Sequence, residues 1–422
     1  MQTTFELDLP PAPESTADLL GRTFRETRQN AFHRWYSYVE GFSADYIVAT
    51  LAEFGDSPAS LYDPFGGSGT ALVEAARRGI PSYFAEANPF MAFVCEAKIN
   101  SAGWAAEHLS TAVDLLGEYS RDIASPAFAR AAERVDLAAY SESLVRRDFF
   151  EHSHLRQLIL ALEVARELGE TEEHAGRLAT LACAANIVDA SNMTRRADLR
   201  RRKPGEYKTR VVDVCSGVTN SIAAMLEDLA EVGTWERTIQ AATDCRDIAD
   251  SYDQAFEVAV TSPPYLNGTN YVRNTKLELF LLGFVDTEDE LGPLRHAGVT
   301  GGITQAATSR EIRNRIPEVE VVATALDKAA RDMRIPHLVR AYFSDMLEAL
   351  RAVFRSLVDG GVFVLDIGDS KFYGVHVPTD RLIAQLAEEV GFVIEEDRVI
   401  ARRVSRDKSP LVQVDFVLRK PR

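Results

Sequence analysis

The stretch DPFGGSGTALVEAARRG (63–79) decides the fold of this chain. The residues before GGSG (66–69) predict a short strand, the glycines predict a tight turn, and the residues after them predict a helix that ends at Gly79. A second strand is expected at 81–87 and a second helix at 88–100. Strand, helix, strand and helix in about 40 residues are the unit of a parallel α/β sheet.

This alternation is interrupted twice, by a mostly helical stretch at 101–235 and by a glycine-rich, charged stretch at 266–335. Further strands are expected at 237–243, 256–262 and 359–369, and a terminal hairpin at 392–403 and 411–420. We therefore expect an α/β fold: a doubly wound, mostly parallel, seven-stranded sheet with a C-terminal antiparallel hairpin and two insertions, the first mainly helical. The corresponding division is a flexible lead-in at 1–17, a core at 18–100 and 236–422, and insertions at 101–235 and 266–335.

The composition is that of an acidic globular protein. The 422 residues include 47 Lys and Arg against 63 Asp and Glu, a formal net charge of −16, which argues against a surface covered with phosphate-binding cations. The four cysteines lie far apart in the sequence, so neither a disulfide framework nor a metal site is expected, and a reducing cytoplasm fits best. No apolar run approaches the roughly 20 residues of a membrane span, and no membrane partner is expected.

The glycine turn and the end of the second strand together predict a cofactor that contains a nucleoside. Glycines let the backbone approach a ligand, and the following helix directs its N-terminal amides at that ligand. The turn is not a P-loop, because no Lys follows the last glycine, and its spacing differs from the dinucleotide motif. Glu86 lies about 20 residues further on, where a carboxylate can accept from both hydroxyls of a ribose. A ligand-free turn and a simple surface carboxylate are the alternatives.

A second motif, TSPPY (261–265), follows the strand predicted at 256–262. Two consecutive prolines fix the backbone and remove hydrogen-bond donors, so the Pro263 carbonyl is left free of local pairing. The loop then offers a hydroxyl and a rigid carbonyl as acceptors, with an aromatic ring beside them. This combination suits a planar group that carries an exocyclic amine. A proline-stiffened strand exit is the alternative.

Together, DPFGGSGT (63–70), Glu86 with the NPF after it, and TSPPY resemble the S-adenosylmethionine-dependent amino-group DNA methyltransferases, in particular their N4-cytosine branch. HRWYSYVEGFS (33–43) and TDCRDI (243–248) resemble further motifs of this family, and the resemblance covers about 30–100 and 237–420. It implies a Rossmann-like class I methyltransferase fold, S-adenosyl-L-methionine as cofactor and double-stranded DNA as partner. A cognate restriction endonuclease and an oligomeric assembly are left open.

The resemblance also implies roles for the matched residues. Asp63 would hold the cofactor's amine or organise the loop, Glu86 would hold the ribose and Asp244 the adenine. The cofactor-binding residues are then expected to be Asp63, Phe65, Gly67, Gly69, Thr70, Glu86, Asn88 and Asp244. The catalytic loop is expected to be Ser262, Pro263, Pro264 and Tyr265.

The expected reaction needs no covalent enzyme intermediate. The base is flipped out of the duplex and stacks on Tyr265, while Ser262 Oγ and the Pro263 carbonyl accept hydrogen bonds from its amino group. The methyl group is then transferred in line, with positioning as the main catalytic contribution. Serine before the prolines is typical of the N4-cytosine branch, although some members with serine methylate adenine. Cytosine-C5 methylation is disfavoured, because no cysteine follows a proline.

Target recognition is expected in the two insertions, because only 17 residues separate Asp244 from Ser262. Residues 195–203 hold six cations and one Asp, a local charge of +5, and either contact DNA or form a solvated helix face. SREIRNR (309–315) is a weaker candidate for the same role. The residues expected to contact DNA are Asn192, Arg195, Arg196, Arg200, Arg201, Arg202, Lys203, Asn270, Tyr271 and Arg273.

Three other functions stay open at this point. Adenine-N6 methylation of DNA uses the same motifs, and guanine-amine methylation of tRNA or another RNA uses similar glycine turns. The RNA enzymes usually carry Asp or Asn before PPY, where this chain has Ser262. A catalytically inactive DNA-binding protein on the same fold is the third alternative, and the intact motifs argue against it.

Overall fold

The computed structural model describes residues 27, 29–38, 43–54, 58–195, 198–207, 210–266, 271–306, 311–404 and 410–422. The lead-in predicted at 1–17 and the expected DNA contacts Arg196 and Asn270 lie outside these residues, as do parts of the segments 33–43 and 309–315.

Short and long strands alternate with helices along the described chain. The strands are β1 (Leu61–Asp63), β2 (Ser82–Ala85), β3 (Met193–Arg195), β4 (Leu199–Arg201), β5 (Thr238–Ala242), β6 (Phe256–Thr261), β7 (Leu357–Gly368), β8 (Ser370–Phe372), β9 (Val375–Val377), β10 (Val393–Val404) and β11 (Pro410–Arg419). The helices are α1 (Ala44–Glu53), α2 (Thr70–Ala76), α3 (Pro89–Glu96), α4 (Ala102–Glu107), α5 (Leu109–Ile123), α6 (Pro126–Ala132), α7 (His152–Thr171), α8 (Glu173–Ala190), α9 (Val214–Ala230), α10 (Tyr271–Asn274), α11 (Lys276–Leu281), α12 (Leu291–Ala297), α13 (Pro317–Ala329), α14 (Arg334–Ser356) and α15 (Thr379–Val390).

Seven of the strands form one sheet in the order β10-β11-β7-β6-β1-β2-β5. The neighbours from β7 to β5 pair in parallel, whereas β11 is antiparallel to both β7 and β10. In the register of the central strand, Leu61 pairs with Ser82 on one side and with Val258 on the other. This arrangement confirms the predicted fold class: a doubly wound, mostly parallel sheet with a C-terminal antiparallel hairpin.

Both faces of the sheet are covered, and successive residues of each strand point to opposite faces. Leu61 and Val260 belong to one apolar cluster, whereas their neighbours Tyr62 and Ala259 belong to a second one. The first cluster includes α2, α3 and helices α4 to α9 of the segment 101–235, and the second includes α13, α14 and α15. The segment 101–235 is thus mainly helical, as expected, and it shares its apolar core with one face of the sheet. None of the helices in the described ranges is long and apolar enough to cross a membrane.

Two hairpins were not expected from the periodicity. Strands β3 and β4 pair antiparallel at 193–201, overlapping the basic segment 195–203, and β8 and β9 pair antiparallel directly after β7. The helix expected at 88–100 also differs, because α3 passes through a π-helical turn (Ala97–Ser101) into α4. Short strands of three residues carry too few side chains for a period to be visible in sequence.

The aromatic segment at 32–35 is fixed to helix α9 by a single acidic side chain. The Asp228 carboxylate, in a residue that is 5% exposed, accepts from Phe32 N at 2.9 Å and from Trp35 Nε1 at 2.7 Å. It also accepts from Arg34 through Nη2 at 2.6 Å and through Nε at 3.1 Å. Arg34 additionally pairs with Glu227, whose side chain is 71% exposed.

We expect Asp228→Ala to lower the free energy of unfolding by at least about 2 kcal/mol, because it leaves buried donors without an acceptor. Glu227→Ala removes an exposed partner of the same Arg34 and should cost at most about 1 kcal/mol. Urea denaturation of both variants and the parent protein measures the difference. Equal losses for the two variants would contradict the anchoring role of Asp228.

Candidate active site

A cavity opens where the carboxyl ends of β1, β2, β5 and β6 meet, the edge at which such sheets build their sites. Its empty volume is about 1000 Å³, part of it open to solvent, which suits a small molecule. The predicted residues that line it are Asp63, Phe65, Gly67, Thr70, Glu86, Asn88, Asp244, Ser262, Pro264 and Tyr271. Gly69, Pro263 and Tyr265 lie in the same loops but do not line the cavity.

The glycine turn takes its shape from two left-handed residues and one buried carboxylate. Gly67 and Gly69 have φ values of 51° and 77°, a region that other residues adopt at a cost. Asp63 Oδ1 accepts from Phe65 N at 3.0 Å within the turn and from Thr261 Oγ1 at 2.7 Å at the end of β6. Burial raises the pKa of Asp63 to about 6, although both hydrogen bonds act to lower it.

A buried lysine that the sequence motifs do not reveal stabilises the glycine turn through a hydrogen bond. Lys98 is fully buried, and its Nζ donates to Ser68 O at 3.2 Å and to Tyr36 O at 3.1 Å. Burial lowers the pKa of Lys98 to about 7. The only sequence signal was a charged residue near the end of an apolar helix, which does not distinguish a buried lysine from one that extends to solvent.

Two hydroxyl groups of the turn are buried without partners. Ser68 and Thr70 are each 4% exposed and line the cavity. Within the described part of the chain, neither Ser68 Oγ nor Thr70 Oγ1 has a hydrogen-bond partner. Buried hydroxyls are rarely left unsatisfied in native proteins, so these two atoms fit a polar ligand group in the cavity.

Glu86 ties the end of β2 to the glycine turn. Its Oε2 accepts from Gly67 N at 2.9 Å and its Oε1 accepts from Asn88 N at 2.8 Å. Burial raises the pKa of Glu86 to about 7, against the lowering effect of these backbone donors. Each carboxylate oxygen keeps a further lone pair, so both can still accept from a ligand. The Asn88 side chain caps α3 through Phe90 N and donates to Thr275 Oγ1, so only the rest of Asn88 is available to the cavity.

Asp244 is held by an arginine two residues further on. Arg246 donates to Asp244 through Nε at 2.9 Å and through Nη2, and it also donates to Asp345 through Nη1. Burial acts to lower the pKa of Arg246, but the hydrogen bond to Asp244 and the charge of Asp345 outweigh it and raise that pKa. One guanidinium therefore bridges two carboxylates at this end of the cavity.

The TSPPY loop presents its serine to the cavity and its tyrosine to the sheet. Within the described residues, no hydrogen bond engages Ser262 Oγ or the Pro263 carbonyl, so both acceptors are available. The Tyr265 hydroxyl accepts from Gln413 Nε2 at 2.8 Å, and the same nitrogen donates to both oxygens of Asp366 at 2.8 Å. A Cβ atom at Gly368 would lie 3.3 Å from the ring, so Tyr265 lies against the end of β7.

Two of the residues expected to contact DNA point into the protein. Arg195 donates to Asn274 O and to the Tyr36 hydroxyl, both at 2.9 Å, and it forms an ion pair with fully buried Glu278. Its side chain is 9% exposed. Asn192 is 7% exposed, and its side chain donates to the carbonyl of residue 148 at 3.2 Å. Both residues therefore fix the hairpin β3–β4 in its place.

The other cations of the hairpin segment lie nearer the surface, and most are paired. Arg200 pairs with Glu206, Arg201 with Asp148 and Arg202 with Asp189, while Lys203 is exposed. The charge of +5 in the sequence is thus largely balanced by carboxylates from other parts of the chain.

The hairpin lies beside the cavity because it docks on α10. Leu199 N donates to Asn274 Oδ1 at 2.7 Å, and Arg273 of α10 pairs with Asp198 at 3.1 Å. Tyr271, at the start of the same helix, lines the cavity.

Over most of its length the chain is similar to two Type II methyltransferases. The Type II methyltransferase M.AvaI of Anabaena variabilis is 24% identical over 416 residues, which cover 90% of this chain and 82% of that protein. The Type II methyltransferase M.BsoBI of Geobacillus stearothermophilus is 23% identical over 414 residues, covering 88% and 80%. No family model matches the chain. Among solved structures, the rRNA methyltransferase aviRa from Streptomyces viridochromogenes matches 89% of this chain and 83% of its own chain at 13% identity. The TM-score is 0.28, which is too low to indicate a shared fold.

The two Type II methyltransferases confirm the resemblance to DNA methyltransferases over most of the chain, well beyond the motifs that first indicated it. They support a methyltransferase activity.

The buried carboxylate of Asp63 yields a prediction about pH. A carboxyl whose pKa is raised on folding binds more protons in the folded state, so its contribution to stability falls as pH rises from about 4 to 6. Asp63→Asn keeps an oxygen for both donors and removes this titration. The stability of the variant relative to the parent should therefore rise by about 2–3 kcal/mol between pH 4 and pH 7.

Urea denaturation at four pH values from about 4 to about 7 measures this difference. The matched control is Asp114→Asn, which removes an exposed carboxylate on α5 and should follow the parent protein at every pH. A constant difference between Asp63→Asn and the parent protein would overturn the prediction.

Proposed function

We propose that this methyltransferase transfers a methyl group from S-adenosylmethionine to the exocyclic N4 amine of a cytosine flipped out of duplex DNA. The observation that carries the proposal is that the glycine turn, Glu86 and Ser262 line one cavity. The residues proposed to bind the cofactor and the serine proposed to bind the base therefore face the same cavity.

The polar groups of the cavity fit the parts of the proposed cofactor. The orphaned hydroxyls of Ser68 and Thr70 suit its amino-acid group, because they are buried polar atoms that lack a partner. Glu86 is proposed to accept from the ribose hydroxyls with its remaining lone pairs. Asp244 is proposed to accept from the adenine amine, sharing oxygens that already accept from Arg246 N, Nε and Nη2. Bound S-adenosylmethionine supplies a methyl group on a sulfonium centre, which is activated without help from a protein nucleophile.

The TSPPY loop is proposed to hold the base. Among the residues that the structure describes, neither Ser262 Oγ nor the Pro263 carbonyl has a hydrogen-bond partner, so the two are proposed to take both protons of an amino group. This turns the nitrogen lone pair away from the ring and toward the methyl group. As the N–C bond forms, the C–S bond breaks to leave a neutral thioether, and the amine loses one proton to solvent. The two prolines keep both acceptors in a fixed geometry, which lowers the entropy that must be lost on the way to the transition state.

Duplex DNA is proposed to lie across the hairpin β3–β4 and helix α10. These elements contact each other through Asn274, and α10 contributes Tyr271 to the wall of the cavity. The exposed or partly exposed cations in or directly after the described part of these elements include Arg200, Arg201, Arg202, Lys203 and Arg273. The Type II relatives favour a restriction endonuclease that reads the same sequence, which we include as part of the proposal.

The reaction is tested by incubating the protein with tritiated S-adenosylmethionine and either duplex DNA or total tRNA, followed by digestion and identification of the labelled nucleoside. Label in N4-methylcytosine is the expected result. Label in N6-methyladenine would replace the base in the proposal, and label confined to RNA would overturn the DNA substrate.

In the same assay, Ser262→Ala should lower the rate of transfer by about 10²-fold or more, because a hydrogen bond that forms in the transition state is lost. Its affinity for S-adenosylmethionine, measured by calorimetry, should stay within about threefold, since Ser262 is assigned to the base. Ser251→Ala, at an exposed position ahead of β6, is the control and should be unchanged. Full turnover by Ser262→Ala would contradict its role.

The hairpin surface is tested with the double variant Arg200→Gln and Arg201→Gln. Each cation that binds a phosphate contributes about 0.9 to the slope of log affinity against log salt. We expect weaker DNA binding and a slope reduced by at most about 2. The value of about 2 is an upper limit because Arg200 must break its ion pair with Glu206, and Arg201 its ion pair with Asp148, before either binds a phosphate.

Fluorescence anisotropy with a labelled duplex at several salt concentrations gives both quantities. The control is the double variant Arg134→Gln and Arg146→Gln, which removes the same charge from an exposed part of the same insertion. A salt slope equal to that of the parent protein would place DNA elsewhere.

A further inference from the structure

The glycine-rich segment of the second insertion lies on the cavity. Residues 298–305, here called the cap segment, contribute Gly298, Val299 and Gln305 to its walls. Val299 is 2% exposed and Thr300 is fully buried. The cap segment is therefore part of the site, although the motifs assigned it no role there.

An ion-pair chain fixes the cap segment to the core. Thr300 donates to Asp345 Oδ2 from its backbone N at 3.0 Å and from Oγ1 at 2.6 Å. The other oxygen of Asp345 accepts from Arg246, which also donates to the carbonyl of residue 297 at 3.3 Å. The opposite edge of the same guanidinium binds Asp244. One side chain thus connects the anchor of the cap segment to the carboxylate assigned to the adenine.

The cap segment also touches the catalytic loop at a position where a side chain does not fit. A Cβ atom at Gly301 would lie 2.9 Å from Pro264 Cβ and 3.2 Å from the carbonyl oxygen of Tyr265. Both neighbours belong to a proline-stiffened backbone and have little freedom to move. Gln305 holds this contact in register, since its Oε1 accepts from Gly301 N at 3.1 Å and its Nε2 donates to the carbonyl of residue 295 at 2.9 Å.

We propose that the cap segment is a positioning element for methyl transfer, in which Thr300 sets the adenine end of the cofactor pocket and Gly301 sets the position of the catalytic loop. The inference rests on the proposed function, because it takes the cavity to bind S-adenosylmethionine and the TSPPY loop to hold the base. It adds two residues outside the recognised motifs, each with a separate effect.

Substitutions at the two residues are expected to affect different quantities: the affinity for the cofactor at Thr300 and the rate of methyl transfer at Gly301. Gly301→Ala pushes Pro264, and with it Ser262, by a few tenths of an ångström; it should lower the transfer rate at least tenfold and leave cofactor affinity within about threefold. Thr300→Val keeps the shape of the side chain but loses its hydrogen bond to Asp345, and it should weaken cofactor binding by about five- to tenfold. Thr300→Ser keeps the hydroxyl and should restore the affinity, which a merely structural loss would not predict.

The experiment measures S-adenosylmethionine binding by calorimetry and single-turnover methylation of duplex DNA for each variant. Gly292→Ala is the control, since it lies in α12 of the same insertion and a Cβ atom there meets nothing within 4 Å; both of its values should equal those of the parent protein. Full turnover by Gly301→Ala, or equal cofactor affinity for Thr300→Val and Thr300→Ser, would overturn the inference.

The outcome for the parent protein separates this inference from the proposed function. A parent protein that binds S-adenosylmethionine but methylates no DNA contradicts the proposed function and the role of Gly301 that rests on it. The role of Thr300 is then decided separately, because the comparison of Thr300→Val with Thr300→Ser uses binding only. A parent protein that binds no S-adenosylmethionine contradicts both.

Discussion

One buried carboxylate joins the two loops on which the site depends. Asp63 Oδ1 accepts one hydrogen bond from Phe65 N in the glycine turn and another from Oγ1 of Thr261, the residue just before Ser262. Strands β1 and β6, which carry these loops, are parallel neighbours. The distance between the two loops is therefore set by sheet pairing and by one shared acceptor. A transfer between two bound groups about 3–3.5 Å apart needs this kind of fixed spacing.

The fold and the lining of the cavity could be predicted because their signals are local. A glycine turn between a strand and a helix, an acidic residue at the end of the next strand, and two consecutive prolines each restrict the backbone within a few residues. The parallel sheet then brings these strand ends to one edge, whatever lies in the insertions between them. Asp63, Glu86 and Ser262 accordingly line one cavity.

The remaining features depend on partners that are distant in sequence. The cation of Arg195 is bound by Glu278, 83 residues further on, and a run of basic residues looks the same whether its charges face water or a buried carboxylate. Lys98 contacts the site by donating to Ser68 O, and Asp345 contacts it by accepting from Arg246. These partners come close only in the tertiary fold. Fewer of the predicted cations are therefore available to DNA in the structure than the sequence indicates, because several of them already pair with carboxylates of the chain.

The bond between Gln413 and Tyr265 has a consequence for the order of synthesis. Gln413 lies on β11, which enters the sheet between β7 and β10 and follows every other strand of that sheet in the chain. Chains emerge from the ribosome N-terminus first, so the glycine turn and the TSPPY loop are made long before the residue that holds the tyrosine. A growing chain therefore lacks the hydrogen bond that fixes Tyr265 until β11, the last strand of the sheet in chain order, has left the ribosome.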